Sequence, residues 1–166
     1  MARNPTEGVV TLSIIDRLID REPKMVTEPP LSRIQSLRLL KEGLRRDLEW
    51  LLNSRRVAFE PDESLEELNR SLYVYGLPDF STYSASSARD QTKLLRVLQS
   101  TIKVFEPRLV NVRLVPLESA SLAGQRLRIR IEGLLLMDPA PEHVSFDTFF
   151  EVKSGACQVK GDSDAG

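Results

Sequence analysis

Lys103-Val-Phe-Glu-Pro-Arg-Leu-Val-Asn-Val-Arg-Leu114 is the place where two periodicities meet. Upstream of it Leu94, Leu98, Ile102 and Phe105 recur at steps of four and three, the spacing that lines one face of a helix. Downstream, Val110, Val112 and Leu114 alternate with Asn111 and Arg113, the period of a half-buried strand. Pro107 sets the change of phase: it has no N–H to give a helix, and its ring pushes Glu106 out of the helical region. The stretch therefore predicts a helix over about 88–105 and a strand from 109. A Gly or Asn would make a plain connection here, yet a carboxylate and a guanidinium flank the proline. In an extended Glu-Pro-Arg the side chains at i and i+2 project to the same side, so Arg108 is expected to favour ionised Glu106.

Towards the N-terminus, Ser86 or Ser87 is placed to cap that helix. The strongest helical pattern covers about 33–54, where Leu37, Leu40, Leu44, Leu48 and Leu51 form one stripe. Glu42 with Arg46 and Arg45 with Glu49 are i,i+4 pairs on its other side. Asn53-Ser54 and Arg55-Arg56 close it, with the cations near the negative end of the helix dipole. Leu12, Ile15, Leu18 and Ile19 predict a short helix within 11–20, capped by Thr11 or Ser13, and three prolines in 21–30 read as an extended linker. Residues 59–84 read as a loop with short turns, a brief strand over Leu72–Tyr75, and a break at Gly76-Leu77-Pro78-Asp79.

Beyond 114, Leu127, Ile129 and Ile131 alternate with Arg126, Arg128, Arg130 and Glu132. Phe146, Thr148, Phe150 and Val152 follow, and a turn at Ser154-Gly155 leads to Cys157 and Val159 as a hairpin. N-terminal helices followed by a mainly antiparallel sheet make an α+β fold. The organisation expected is a flexible N-terminus at 1–8, one domain over 9–160 and a flexible tail at 161–166.

The chain has 166 residues, 23 basic against 24 acidic, and a net charge of −1. That balance is not tuned for nucleic acid or for an anionic membrane. The arginines at 126, 128 and 130 lack interleaved aromatics for base stacking, so a solvated face or a contact with an acidic protein surface is expected instead. One Cys and one His exclude an internal disulfide and argue against structural zinc. His143 reads as a surface-loop residue and Cys157 as a half-buried structural thiol. No phosphate loop, dinucleotide fingerprint or nucleophile elbow is present, so no cofactor, metal or catalytic residue is expected. There is no membrane-length apolar run and no secretory leader behind Arg3, which points to the cytoplasm. A two-carboxylate hydrolase needs one acid with a raised pKa, and beside Arg108 the candidate Glu106 is pushed the other way.

Phe105-Glu-Pro-Arg-Leu109 after a leucine-rich helix, Arg46-Asp-Leu-Glu-Trp-Leu-Leu-Asn-Ser-Arg-Arg56, Tyr75-Gly-Leu-Pro-Asp-Phe80 and Ile14-Ile-Asp-Arg-Leu18 together resemble the TssE family. These are type VI secretion baseplate wedge subunits related to a wedge protein of contractile phage tails. The resemblance implies a cytoplasmic adaptor, in a baseplate docked to the membrane complex, that joins TssF and TssG and starts the TssB/TssC sheath. TssK and VgrG are further neighbours it implies, with no nucleic acid and no membrane insertion. It implies a fold like the sheath's interlocking domain, on which the first sheath ring docks by extending a sheet. The family's Glu-Pro-Arg motif maps onto Glu106, Pro107 and Arg108 as a protein-binding site. On that reading Arg108 offers its planar fork to a partner carboxylate, and its loss harms assembly more than stability. The other reading is an internal helix-to-strand clamp. The family also carries a lysozyme-like label, which makes a peptidoglycan-cleaving glycosidase the alternative function.

Overall fold

The computed structural model describes residues 12–19, 32–59, 61–84, 86–117 and 126–161. The expected mobile N-terminus, the Thr11 cap, the proline-rich linker and most of the tail lie outside them. Among the described residues three α-helices come first: α1 (Ile14–Leu18), α2 (Arg33–Asn53) and α3 (Ala88–Phe105). Four strands follow, β1 (Leu109–Leu117), β2 (Arg126–Leu135), β3 (Glu142–Glu151) and β4 (Cys157–Val159), in one antiparallel sheet of order β1-β2-β3-β4. The α+β arrangement is the one the periodicities predict.

Local chemistry explains the helix limits. Ser32 accepts from the Gln35 N–H while the Gln35 side chain reaches back to the Ser32 N–H, a capping box that starts α2. Ser87 caps α3 by accepting from the Asp90 N–H. Leu40, Leu44, Leu48, Leu51 and Leu52 of α2 and Leu94, Leu98 and Ile102 of α3 are buried in one cluster with the inner sheet face: Leu127, Ile129, Ile131, Leu135, Phe146 and Phe150. Fully burying each such side chain contributes about 2 kcal/mol.

Several local expectations give way. Leu72–Val74 is a 3-10 turn rather than a strand, because Ser71 caps it by accepting from the Tyr73 N–H. Asn111 takes φ +54° and the β1–β2 register slips between Val110 and Arg113. This bulge puts Leu109 on the core face with Val112 and leaves Val110 only half-buried. Glu42 pairs with Arg38 at 3.1 Å instead of Arg46, although the Arg45–Glu49 pair forms at 2.9 Å. His143 belongs to β3 and not to a loop.

The arginine strip on the outer sheet face has an internal counter-ion. Asp147, opposite Arg130 in the β2–β3 register, accepts from Arg130 Nε at 2.9 Å and from Arg128 Nη2 at 2.6 Å. The Arg130 hydrogen bond, helped by Arg128 and opposed by burial, holds the Asp147 carboxyl below its ordinary value of 3.8. A depressed native pKa contributes stability that is present above the unfolded value and lost as the pH falls through the native one. Asp147→Asn is expected to cost roughly 1–3 kcal/mol near pH 7. In urea unfolding, the difference from the parent should close as the pH is lowered through the ordinary carboxyl value of 3.8 and then through the lower native one.

Thr148, on the inner face of β3, is 2% exposed, and its hydroxyl finds no hydrogen-bond partner among the described residues. A buried hydroxyl without a partner costs roughly 1–3 kcal/mol, so Thr148→Val should raise the urea midpoint at unchanged slope.

Edge strand β4 is covered from α2. Asn53 Nδ2 donates to the Cys157 carbonyl at 2.7 Å, and the Cys157 N–H donates to Asn53 Oδ1 at 2.9 Å, so one amide side chain stands in for a neighbouring strand. Arg45 Nη1 donates to the Val159 carbonyl at 3.2 Å. Arg55 Nη2 reaches the Ser154 carbonyl in the β3–β4 turn at 2.9 Å. The other edge, β1, contains Pro116, which has no N–H to offer a new strand.

Candidate functional site

Glu106-Pro107-Arg108 turns instead of running extended. α3 closes where the Glu106 N–H donates to the Ile102 carbonyl at 2.8 Å, and the Leu109 N–H then donates back to the Glu106 carbonyl at 3.1 Å. This makes a β-turn with Pro107 in the second position, where its fixed φ fits. The Arg108 carbonyl accepts from the Leu136 N–H at 2.8 Å, so the same turn begins the β1–β2 ladder.

The Arg108 side chain folds back across the turn. Its Nε donates to Glu106 Oε1 at 2.6 Å and its Nη2 to Glu106 Oε2 at 2.7 Å, a two-point grip on a carboxylate that is 5% exposed. Nη2 also donates to Asp47 Oδ2 on α2 at 2.7 Å. The Glu106 hydrogen bonds, then those of Asp47, raise the Arg108 pKa further above its usual high value despite burial. The pairing of Glu106 with Arg108 is as the sequence implies, and it takes the form of a clamp onto α2.

The network continues. Asp47 Oδ1 accepts from Arg46 Nη2 at 3.1 Å, and Arg46 Nη1 donates to Asp16 Oδ1 of α1 at 2.7 Å. Ser13 Oγ donates to Asp16 Oδ2 at 2.6 Å, so α1, α2 and the Glu-Pro-Arg turn are joined by one chain of charge-assisted bonds. Gly43 makes room for it: a Cβ there would stand 2.9 Å from Asp16 Oδ2. A glycine inside a helix costs about 1 kcal/mol relative to alanine, which the docking of Asp16 accounts for. Tyr75 lies against Phe105 edge to face at 5.2 Å. Burial, then the negative charges of Asp47 and Glu106, push its phenol pKa up.

The structure thus brings together all three expected residues and adds Asp16, Arg46, Asp47 and Tyr75. In the sequence Arg46 reads as an i,i+4 partner of Glu42, and Asp16, Asp47 and Tyr75 stand only within the blocks that resemble the TssE family.

Chemically the cluster is a structural joint. The two carboxylates that a glycosidase would need to set apart, Glu106 and Asp47, are bridged by one guanidinium. Burial, with Glu49 nearby, pushes the Cys157 thiol up to about 12, which removes the thiolate a nucleophile needs at neutral pH. Among the described residues no group of three or more His, Cys, Asp or Glu is placed to hold a metal ion.

The family model described as baseplate wedge protein gp25 matches residues 38–140, which include Arg46, Asp47, the whole Glu106–Arg108 turn, α3, β1 and β2. The chain belongs to the gp25 baseplate wedge family. No curated protein and no solved structure matches it. As a gp25-family member it is a structural component of a contractile phage tail or type VI secretion baseplate, and it meets other baseplate proteins there. No helix among the described residues is long and apolar enough to cross a membrane.

Proposed function

We propose that this chain is the TssE-type wedge subunit of a type VI secretion baseplate, joining TssF and TssG and seeding the TssB/TssC sheath. TssK and VgrG are its further neighbours, and its place is the cytoplasmic baseplate docked to the membrane complex. Residues 9–160 act as one wedge domain. The gp25 match supports the baseplate part of this reading, and the sequence blocks that resemble TssE support the rest.

The observation that carries the contact site is the state of Arg108. Its Nε and Nη2 are fixed by Glu106 and Asp47, while Nη1 makes no hydrogen bond among the described residues and the side chain remains 30% exposed. A donor held rigid before binding has little freedom left to lose, so a partner carboxylate or carbonyl gains from the clamp as well as from the charge. The internal clamp and the partner contact are then two uses of one side chain.

Sheet extension by the sheath meets a condition at β4. Both main-chain groups of Cys157 and the carbonyl of Val159 are already engaged by Asn53 and Arg45, so a strand added there exchanges bonds rather than filling vacant ones.

Co-expression with tagged TssF and TssG tests the proposal. Specific co-purification is expected, weakened by Arg108→Ala at a temperature where that variant is still folded. Loss of retention in the parent, together with release of soluble fragments from peptidoglycan, would sink it in favour of the glycosidase.

A further inference from the structure

Helix α1 presents its apolar side outwards. A surface helix ordinarily turns that side to the core. In α1 the buried residue is Asp16, whereas Ile14, Ile15, Leu18 and Ile19 are exposed, Leu18 at 79%. A helix of five residues has no stability of its own, so its orientation is imposed. It is imposed by the Ser13 cap, the Asp16–Arg46 pair, the space left by Gly43, and Leu12 packed against the core.

The exposed aliphatics are not isolated. Arg46, which holds Asp16, lies over the Trp50 ring at 5.3 Å, and Trp50 is 57% exposed. Arg46 also grips Asp47, and Asp47 grips Arg108. The surface therefore runs from α1 over Arg46 and Trp50 to the free edge of Arg108.

We infer that the outer face of α1, Trp50 and Arg108 Nη1 form one docking surface for another baseplate subunit. The matching segment is amphipathic, with aliphatic side chains opposite α1 and a carboxylate at Arg108. Charge complementarity sets the carboxylate, because Arg108 Nη1 is a donor without a hydrogen bond among the described residues. It also disfavours a second copy of this chain: the patch's own carboxylates, Asp16, Asp47 and Glu106, are already ion-paired. Aliphatic, Trp and Arg side chains around one centre have the make-up of an interface core and not of its rim. α1 lies outside the 38–140 stretch that matches the gp25 family, whereas Trp50 and Arg108 lie inside it. The inference rests on the reading that Arg108 meets a partner.

The test measures affinity for a purified TssF–TssG complex, using the full chain and three variants: Ile15→Gln/Leu18→Gln, Trp50→Ala and Arg108→Ala. Light scattering of the free chain and its urea midpoint are recorded alongside. The free chain is expected to be monomeric, the Ile15/Leu18 variant to keep the parent midpoint, and its affinity to fall by about tenfold or more. Trp50→Ala is expected to weaken binding in the same direction. Parent-like affinity in both variants, with Arg108→Ala alone defective, overturns the inference and leaves the contact reading standing. Parent-like affinity in all three overturns both. A dimer of the free chain that Ile15→Gln/Leu18→Gln dissolves assigns the face to a second copy and overturns the inference. So does a lowered midpoint in that variant, since the chain's own residues would then be covering α1.

Discussion

Arg108→Ala is expected to lower the unfolding free energy by about 3–5 kcal/mol near neutral pH, the range for removing one partner of a buried ion pair. The cost comes from what remains. Glu106 is 5% exposed and would lose both bonds to its carboxylate, and Asp47 would lose its link from α2 to the turn. This reverses the expectation that loss of Arg108 touches assembly before stability. Glu106→Gln with Arg108→Met should cost less than Arg108→Ala alone, because no charge is left stranded. Arg108→Lys should fall between the parent and alanine, keeping the charge but not the two-point geometry. Urea unfolding of the single and double variants gives the coupling directly. Additive effects at 106 and 108 would mean that the clamp contributes nothing as a unit.

Such a stability cost does not argue against a partner contact. It changes how the contact must be measured. An assembly defect in Arg108→Ala counts only in the folded fraction, at a temperature well below the variant's midpoint.

The seam at Glu106-Pro107-Arg108 was legible because proline acts locally: it stops α3 at Phe105 whatever else the chain does. Local rules also gave the register of β2, where Leu127, Ile129 and Ile131 all face the core. What could not be read depended on residues distant in sequence. Asp47 is 61 positions from Arg108, and no local rule joins it to the Glu106–Arg108 turn. Asp147 pairs with Arg128 and Arg130 only because the β2–β3 register sets it opposite Arg130. α1 forms within the expected 11–20 with Leu12 against the core, but the outward facing of Ile15, Leu18 and Ile19 could not be read, because one buried carboxylate with a guanidinium partner sets it. The bulge at Asn111 escaped because strand alternation looks regular on either side of one extra residue.

Gly76→Ala is expected to cost about 3 kcal/mol or more. Gly76 holds φ +99°, and a Cβ built on it would stand 2.5 Å from the Ser54 carbonyl oxygen and 2.7 Å from the Ser54 carbonyl carbon. Those are main-chain atoms at the end of α2, so no side chain can swing aside to relieve the contact. The loop must move instead, and it is pinned on both sides. The Leu77 N–H donates to the Ser54 carbonyl at 2.8 Å, and the Arg56 N–H donates to the Leu77 carbonyl at 3.1 Å. Next to this bridge, Leu77 is 0% and Phe80 1% exposed, and Phe80 meets Phe150 of the sheet edge to face at 5.9 Å. A shift of the loop therefore loses two main-chain bonds and loosens two core side chains, on top of the φ penalty. Tyr75 sits one residue away against Phe105, beside the clamp, so Gly76→Ala and Arg108→Ala should not add independently. Gly161→Ala is the control: the nearest atom to its Cβ is Arg45 Cδ at 4.0 Å, and its effect should stay within about 0.5 kcal/mol. Urea unfolding of both variants decides the matter, and a Gly76→Ala midpoint as close to the parent as that of Gly161→Ala would show that the Tyr75–Asp79 loop is not locked to α2.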